Sequence, residues 1–181
     1  MIETGDNRYF VDMGTDAIAP MTDRQIPYES VKAIFITHMH GDHTNGLLPF
    51  LDVCSWKFKD VDPAIYLPGN MEATVSAING WLSCTGIKPR PFRYCSVEAG
   101  ALYDDGVLRV TAYRTKHANF TYAYLLEAEG SGCCSVEICT AKCRWRIFLT
   151  TLWSNPWIWL SARLPISMPR LTCRSLSTIR T

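Results

Sequence analysis

An apolar strand that runs directly into a cluster of histidines limits this chain more than any other feature. Residues 31–37, Val-Lys-Ala-Ile-Phe-Ile-Thr, have the length and apolar content of a buried strand. His38-Met39-His40-Gly41-Asp42-His43 follows without a gap. Three of the chain's four histidines fall in this stretch, where average usage would place about 0.1. In extended backbone, residues two apart point the same way, so His38, His40 and Asp42 can converge on one side. Gly41 lets the backbone turn, so His43 can also reach inward. Imidazole nitrogens with a carboxylate suit Zn²⁺ or a similar first-row ion. Solvated surface histidines are the bland alternative, and this spacing directly after a buried strand argues against it.

The remaining pattern interleaves strands and helices. Strands are expected at residues 8–14, 31–37, 64–67, 92–97, 107–113 and 119–127. A short helix is expected at 45–51. A longer one is expected at 71–84, with Asn70 as its N-cap and Val75, Ile78, Trp81 and Leu82 at helical spacing. This alternation argues an α/β layered fold. Trp81, Phe50 and Tyr124 are expected in the core, and Cys54, Cys84 and Cys95 as buried thiols. The chain has 181 residues, 48% hydrophobic and 19% charged, enough for one domain with a core, or a domain plus a tail. Those values exclude a disordered chain, a collagen-like fibre and a disulfide-dense miniprotein. The first residues lack the basic and apolar regions of a secretory signal, and no stretch approaches the roughly 20 apolar residues of a membrane span. A cytoplasmic protein is expected.

The net charge of +1 hides a break. Residues 1–131 hold 11 Lys and Arg against 16 Asp and Glu, a net of −5; residues 132–181 hold 7 against one, a net of +6. All four histidines precede the break, and five of the eight cysteines and four of the six tryptophans follow it. Two regions are therefore expected: a domain at 1–131 and a Cys/Trp/Arg-rich tail at 132–181.

The His38–His43 stretch resembles the His-x-His-x-Asp-His signature of the metallo-β-lactamase superfamily. Phe10-Val11-Asp12-Met13-Gly14 resembles that family's early strand ending in Asp-x-Gly, whose Asp supports the metal site from behind. Thr115-Lys116-His117, followed by Asn119-Phe120-Thr121-Tyr122-Ala123-Tyr124, is similar to its next ligand motif. The resemblance covers about residues 4–130 and implies an αββα sandwich, incomplete here. It implies that His38, His40 and His117 bind a first zinc and that Asp42 and His43 contribute to a second. It also implies that zinc-bound hydroxide attacks an ester or phosphodiester, with Asp42 orienting the water. The His117 motif is most similar to ribonuclease Z-like enzymes that process transfer RNA and to related phosphodiesterases. A small-molecule or phosphodiester substrate is implied. Nucleic acid is possible, but the −5 charge of residues 1–131 does not support it.

The family pattern also requires a later Gly-Asp whose Asp bridges two metals, and a further His. Residues 132–181 contain neither Asp nor His, so impaired catalysis is expected. The rival reading is a non-catalytic metal-binding or interaction module whose basic, aromatic tail contacts a membrane or a partner. A shift of reading frame near codon 132 would account for both the break and the missing ligands. With freely chosen synonymous codons, the displaced frame of residues 133–140 can read Leu-Leu-Phe-Ser-Gly-Asp-Leu-His. Residues 160–169 can likewise yield a His. Sequencing the DNA for residues 125–181 is expected to reveal a second frame containing Gly-Asp and a later His; its absence would make the tail genuine.

Overall fold

The apolar run from Val31 becomes the central strand of a sheet. A computed structural model describes residues 1–15, 17–88 and 90–128 in full, and the backbone of residues 131–137 and 146–149. The first sheet contains β1 (Ile2–Thr4), β2 (Asn7–Val11), β3 (Val31–Phe35), β4 (Ala64–Leu67) and β5 (Tyr94–Ser96), in that order. β1 and β2 are antiparallel; β2 through β5 are parallel. Parallel strands are normally buried on both faces, and β3 reads accordingly. Ile34 and Ile36 pack towards helices, whereas Ala33 and Phe35 pack towards a second sheet.

The helices are α1 (Ile18–Asp23), α2 (Gly41–Thr44), α3 (Leu47–Trp56) and α4 (Met71–Cys84). α3 buries Leu47, Phe50, Leu51 and Cys54 on the sheet; α4 buries Ile78 and Leu82. α4 has the expected limits. The Asn70 side chain accepts a hydrogen bond from the Ala73 N–H at 3.0 Å, satisfying one of the free donors of the first turn. Trp81 departs from the expectation: it is 41% exposed, and Ile78 and Leu82 carry the apolar stripe without it. Of the three thiols expected to be buried, only Cys54 is; Cys84 is exposed and Cys95 half-buried.

The second sheet is antiparallel, in the order β6 (Gly100–Asp104), β7 (Leu108–Thr115), β8 (Thr121–Ala128), β9 (Ser131–Glu137) and β10 (Arg146–Leu149). The inner face of β7 and β8 presents Leu108, Val110, Ala112, Tyr122, Tyr124 and Leu126 to the first sheet. Arg109, Tyr113 and Glu127 are exposed. Helix, sheet and sheet are thus three successive layers in the order expected of an αββα sandwich. Pairing of β8 with β9 continues past residue 131, with Tyr124 opposite Val136. The expected tail at 132–181 lies outside the described residues apart from the backbone of residues 132–137 and 146–149.

Two sets of bonds hold the sheets in register. At one end, the Tyr124 hydroxyl donates to the Ile36 carbonyl at 2.7 Å and the Tyr122 N–H donates to the Thr37 carbonyl at 3.0 Å. At the other, Tyr9 and Tyr103 both donate to Asp105 Oδ2, at 2.6 and 2.8 Å. Burial, followed by the bond to Asp105, pushes the Tyr9 hydroxyl up to about 12. Phe35 sits between the layers, its ring 5.0 Å from Tyr66, 5.5 Å from Tyr103 and 5.8 Å from Tyr124.

Partial burial works to raise the Asp105 pKa, but hydrogen bonds from Tyr9, the Leu108 N–H, Tyr103 and the Val107 N–H outweigh it and hold the carboxyl below its ordinary range. A depressed folded-state pKa gives stability that is present above the unfolded value of about 3.9 and lost as pH falls through the folded value. Asp105→Asn is expected to cost about 1–2 kcal/mol at pH 7. It should also flatten this part of the acid-side loss, as read from urea midpoints between about pH 3 and 7.

Candidate metal centre

The site forms where β2 and β3 end side by side. The Asp12 N–H donates to the Phe35 carbonyl at 2.8 Å, and Asp12 takes a left-handed φ of 59°. Asp tolerates this region better than most residues. The turn aims its carboxylate across the strand ends. Oδ1 accepts the Thr37 N–H at 2.7 Å, and the Thr37 hydroxyl lies 3.0 and 2.9 Å from the two carboxylate oxygens. Oδ2 also lies 2.6 Å from His43 Nδ1.

These bonds assign the tautomers. The Thr37 hydroxyl donates to Asp12, so its lone pair faces His38 Nδ1 at 3.0 Å and accepts from it. His38 Nε2 therefore keeps its lone pair free for a cation. His43 donates from Nδ1 to Asp12, and its Nε2 faces Asp42 Oδ2 at 3.6 Å. One carboxylate thus orients two imidazoles, as carboxylates commonly do behind metal-binding histidines.

Two glycines let the strand-end turns nest. A Cβ on Gly14 would lie 2.2 Å from the Asp42 carbonyl oxygen, and one on Gly46 would lie 2.2 Å from the Gly14 carbonyl oxygen. Backbone bonds from Met13 N to the His43 carbonyl and from Gly46 N to the Met13 carbonyl, both 2.8 Å, seal the contact. The expected Asp-x-Gly turn is thereby the floor of the histidine loop.

His38, His40 and His117 each bring one ring nitrogen to within 4.8 Å of the others. The His38 ring centroid lies 4.4 Å from His40, 4.1 Å from His43 and 4.9 Å from His117. His38 Nε2 and His40 Nδ1 are 2.9 Å apart, so one proton is shared between them, and a cation would take its place. Tetrahedral zinc–nitrogen bonds of about 2.0–2.1 Å separate ligand nitrogens by roughly 3.4 Å, close to this spacing. The donor set therefore fits a zinc ion. His38 is buried, whereas His40 and His117 are exposed and open the cluster to solvent. Burial, then the neighbouring His43, His40 and His117, lowers the His38 pKa to about 4 and keeps it neutral. Burial opposes charge on His43 as well, but the Asp12 bond and charge, with Asp42 behind, outweigh it and raise the pKa.

His117 reaches the site from the β7–β8 turn, where the Thr121 hydroxyl accepts from the Ala118 N–H at 2.8 Å. Asp42 lies in the first turn of α2 with its side chain 80% exposed; it pairs with His43 and stands outside the three-nitrogen group. Sequence reasoning missed Thr37, which reads as the last residue of a buried strand. It also missed Tyr122 and Tyr124 as the links between His117's strand and β3.

The family model for Anti-Pycsar protein Apyc1 matches residues 1–136. This chain belongs to the Apyc1 family. Similar curated proteins include ribonuclease BN of Cronobacter sakazakii, 34% identical over 103 residues, which cover 55% of this chain and 32% of that protein. Ribonuclease Z of Shouchella clausii is 35% identical over 101 residues, covering 55% of this chain and 31% of that protein. The chain thus spans about a third of the length of these relatives. Among solved structures, human tRNase Z, short form, has a TM-score of 0.56 at 19% identity, covering 71% of this chain and 56% of that one. The metallo-β-lactamase fold protein YhfI of Bacillus subtilis has a TM-score of 0.55 at 19% identity, covering 74% and 51%. This Apyc1-family chain has the metallo-β-lactamase fold of that neighbour. No helix among the described residues is long and apolar enough to cross a membrane.

Within this Apyc1-family site, Gly14→Ala is expected to lower stability by about 1–3 kcal/mol, because the clash is with backbone. Gly80, inside α4 with nothing within 4 Å of where a Cβ would stand, is the control. Gly80→Ala should stabilise by about 0.5–1 kcal/mol. Paired urea titrations check both.

Proposed function

We propose that this chain is a metal-dependent phosphodiester hydrolase in which His38, His40 and His117 hold one zinc ion. The observation carrying this reading is the grouping of those three imidazoles around a neutral His38 whose Nε2 lone pair is directed by Thr37 and Asp12. Zinc bound there would supply a Lewis acid for the phosphoryl group and lower the pKa of a coordinated water towards neutrality. Asp42, exposed at the loop's edge, orients the attacking water and takes up its proton. His43 holds Asp12 in place, and with Asp42 it forms the start of a second metal position.

No Asp or His occurs among residues 132–181. The chain supplies no further carboxylate–imidazole pair there to complete the second position, so one tight metal and impaired turnover belong to this reading. Ribonuclease Z and BN among the relatives support a nucleotide phosphodiester as the substrate class. The net −5 of residues 1–131 weighs against a long RNA backbone and favours a small one.

Native mass spectrometry of the zinc-titrated chain is expected to show one tightly held ion, lost in His40→Ala. Two tight ions per chain would overturn the single-metal reading. Hydrolysis of bis(p-nitrophenyl) phosphate should need zinc and vanish in His40→Ala; turnover indifferent to that change would sink the assignment. Thr37→Val, which removes the hydroxyl between Asp12 and His38, should weaken zinc binding about 10–100-fold while sparing the fold.

A further inference from the structure

Parallel pairing of β3 and β4 sets Ala33 beside Ala64, Ile34 beside Ile65 and Phe35 beside Tyr66. In a parallel ladder the bonds are slanted and evenly spaced, so a residue's N–H and C=O reach the two residues that flank its partner. Continuing the register, Ile36 donates its N–H to the Tyr66 carbonyl at 3.0 Å, and its own carbonyl should accept from residue 68. Residue 68 is Pro68, which has no N–H. Ile36 is fully buried, so bulk water does not make up the missing bond. The Tyr124 hydroxyl does, at 2.7 Å, from the opposite sheet. Burial, followed by the charge of Asp12, raises the pKa of that hydroxyl well above its ordinary range and keeps it a donor.

Ile36 and Thr37 are therefore a junction at which the backbone groups go to separate elements. The Ile36 N–H goes to β4, the Thr37 N–H to Asp12 beyond β2, and both carbonyls to β8, through Tyr124 and the Tyr122 N–H. The next residue is His38. On the other side of the junction, β7 and β8 pair along their whole length, from Leu108 with Ala128 to Thr115 with Thr121. The turn of this hairpin carries His117 and is closed by the Ala118 N–H on the Thr121 hydroxyl. Where the hairpin sits on the first sheet thus sets where the His117 ring stands against His38 and His40. Apolar contact between the sheets is non-directional, whereas a hydrogen bond of 2.7 Å fixes distance and angle.

We propose that Tyr124 is the positioning residue of the histidine cluster: its hydroxyl supplies the donor that Pro68 lacks, and so holds the His117 hairpin where the three imidazoles meet. This rests on the zinc reading of the cluster and names a residue outside it that governs its affinity. A zinc site tolerates departures of about 0.2 Å in its ligand distances, so a small slide of the hairpin is enough to weaken it. The sandwich contains its own control. Tyr9 also donates a buried hydroxyl across the sheets, to Asp105 at 2.6 Å. Asp105 precedes β7 and His117 follows it, so that bond lies at the opposite end of the hairpin, where Tyr103 shares the same acceptor.

Zinc titration of the full-length chain, read by competition with a chromophoric chelator, tests this. Tyr124→Phe should weaken zinc binding about tenfold or more. Tyr9→Phe should leave it unchanged, although it too removes a hydroxyl bond between the sheets. In a His117→Ala background, Tyr124→Phe should have no further effect on zinc, because the hairpin then carries no imidazole to misplace. Unaltered affinity in Tyr124→Phe, an equal loss in Tyr9→Phe, or an undiminished loss in the His117→Ala background would each overturn the proposal. Hydrogen exchange in the metal-free chain separates this from the zinc reading. The Tyr122 N–H, bonded to the Thr37 carbonyl, should exchange faster in Tyr124→Phe than in wild type, and unaltered exchange would also overturn the proposal. Zinc binding that is absent in wild type or indifferent to His40→Ala, with the Tyr122 exchange still accelerated, would sink the zinc reading alone.

Discussion

The Asp12 carboxylate is the interaction on which the site depends. It lies where two parallel strands end, and it accepts from the Thr37 N–H, the Thr37 hydroxyl and His43 Nδ1. Each bond has a separate effect. The first fixes the exit of β3, the second directs the lone pair of His38 through Thr37, and the third orients His43. A metal site needs ligands that are already deprotonated and pointed, since reorganisation subtracts from affinity. Here both conditions follow from one side chain on a neighbouring strand. Its left-handed backbone costs energy locally, and the bonds it makes possible hold it there.

The rest of the fold serves to bring strand ends to one edge. Parallel pairing of β2, β3 and β4 lines up their C-terminal ends, which is where side chains from separate loops can meet. Gly14 and Gly46 bring the turns closer than any side chain would allow. The second sheet adds His117, and it is registered on the first by two bonds to the backbone of Ile36 and Thr37. A shift between the sheets would therefore move His117 away from His38 and His40.

The parts of this arrangement written into local sequence were legible in it. The run from Val31 reads as a buried strand because it is buried on both faces, and Met71–Cys84 reads as a helix because its cap and stripe agree. The histidines were legible because three in one short stretch has few bland explanations. Elements fixed by tertiary pairing were harder to see. β1 and β6 are short and partly exposed, and their existence depends on neighbours distant in sequence. Trp81 misled because helical spacing alone does not say how wide the buried stripe is. Thr37 was invisible as a site residue, since its role comes from Asp12, 25 positions earlier.

The split origin of the site has a consequence for how the chain is made. His38, His40 and His43 leave the ribosome long before His117, which comes 79 positions after His38. At about 5–20 residues per second, that interval is roughly 4–16 s. During it the first histidines and Asp12 can already meet, because β2 and β3 pair early in the chain. The third imidazole arrives only when β8 docks. A nascent chain thus holds two of the three grouped imidazoles for seconds before the third can join them.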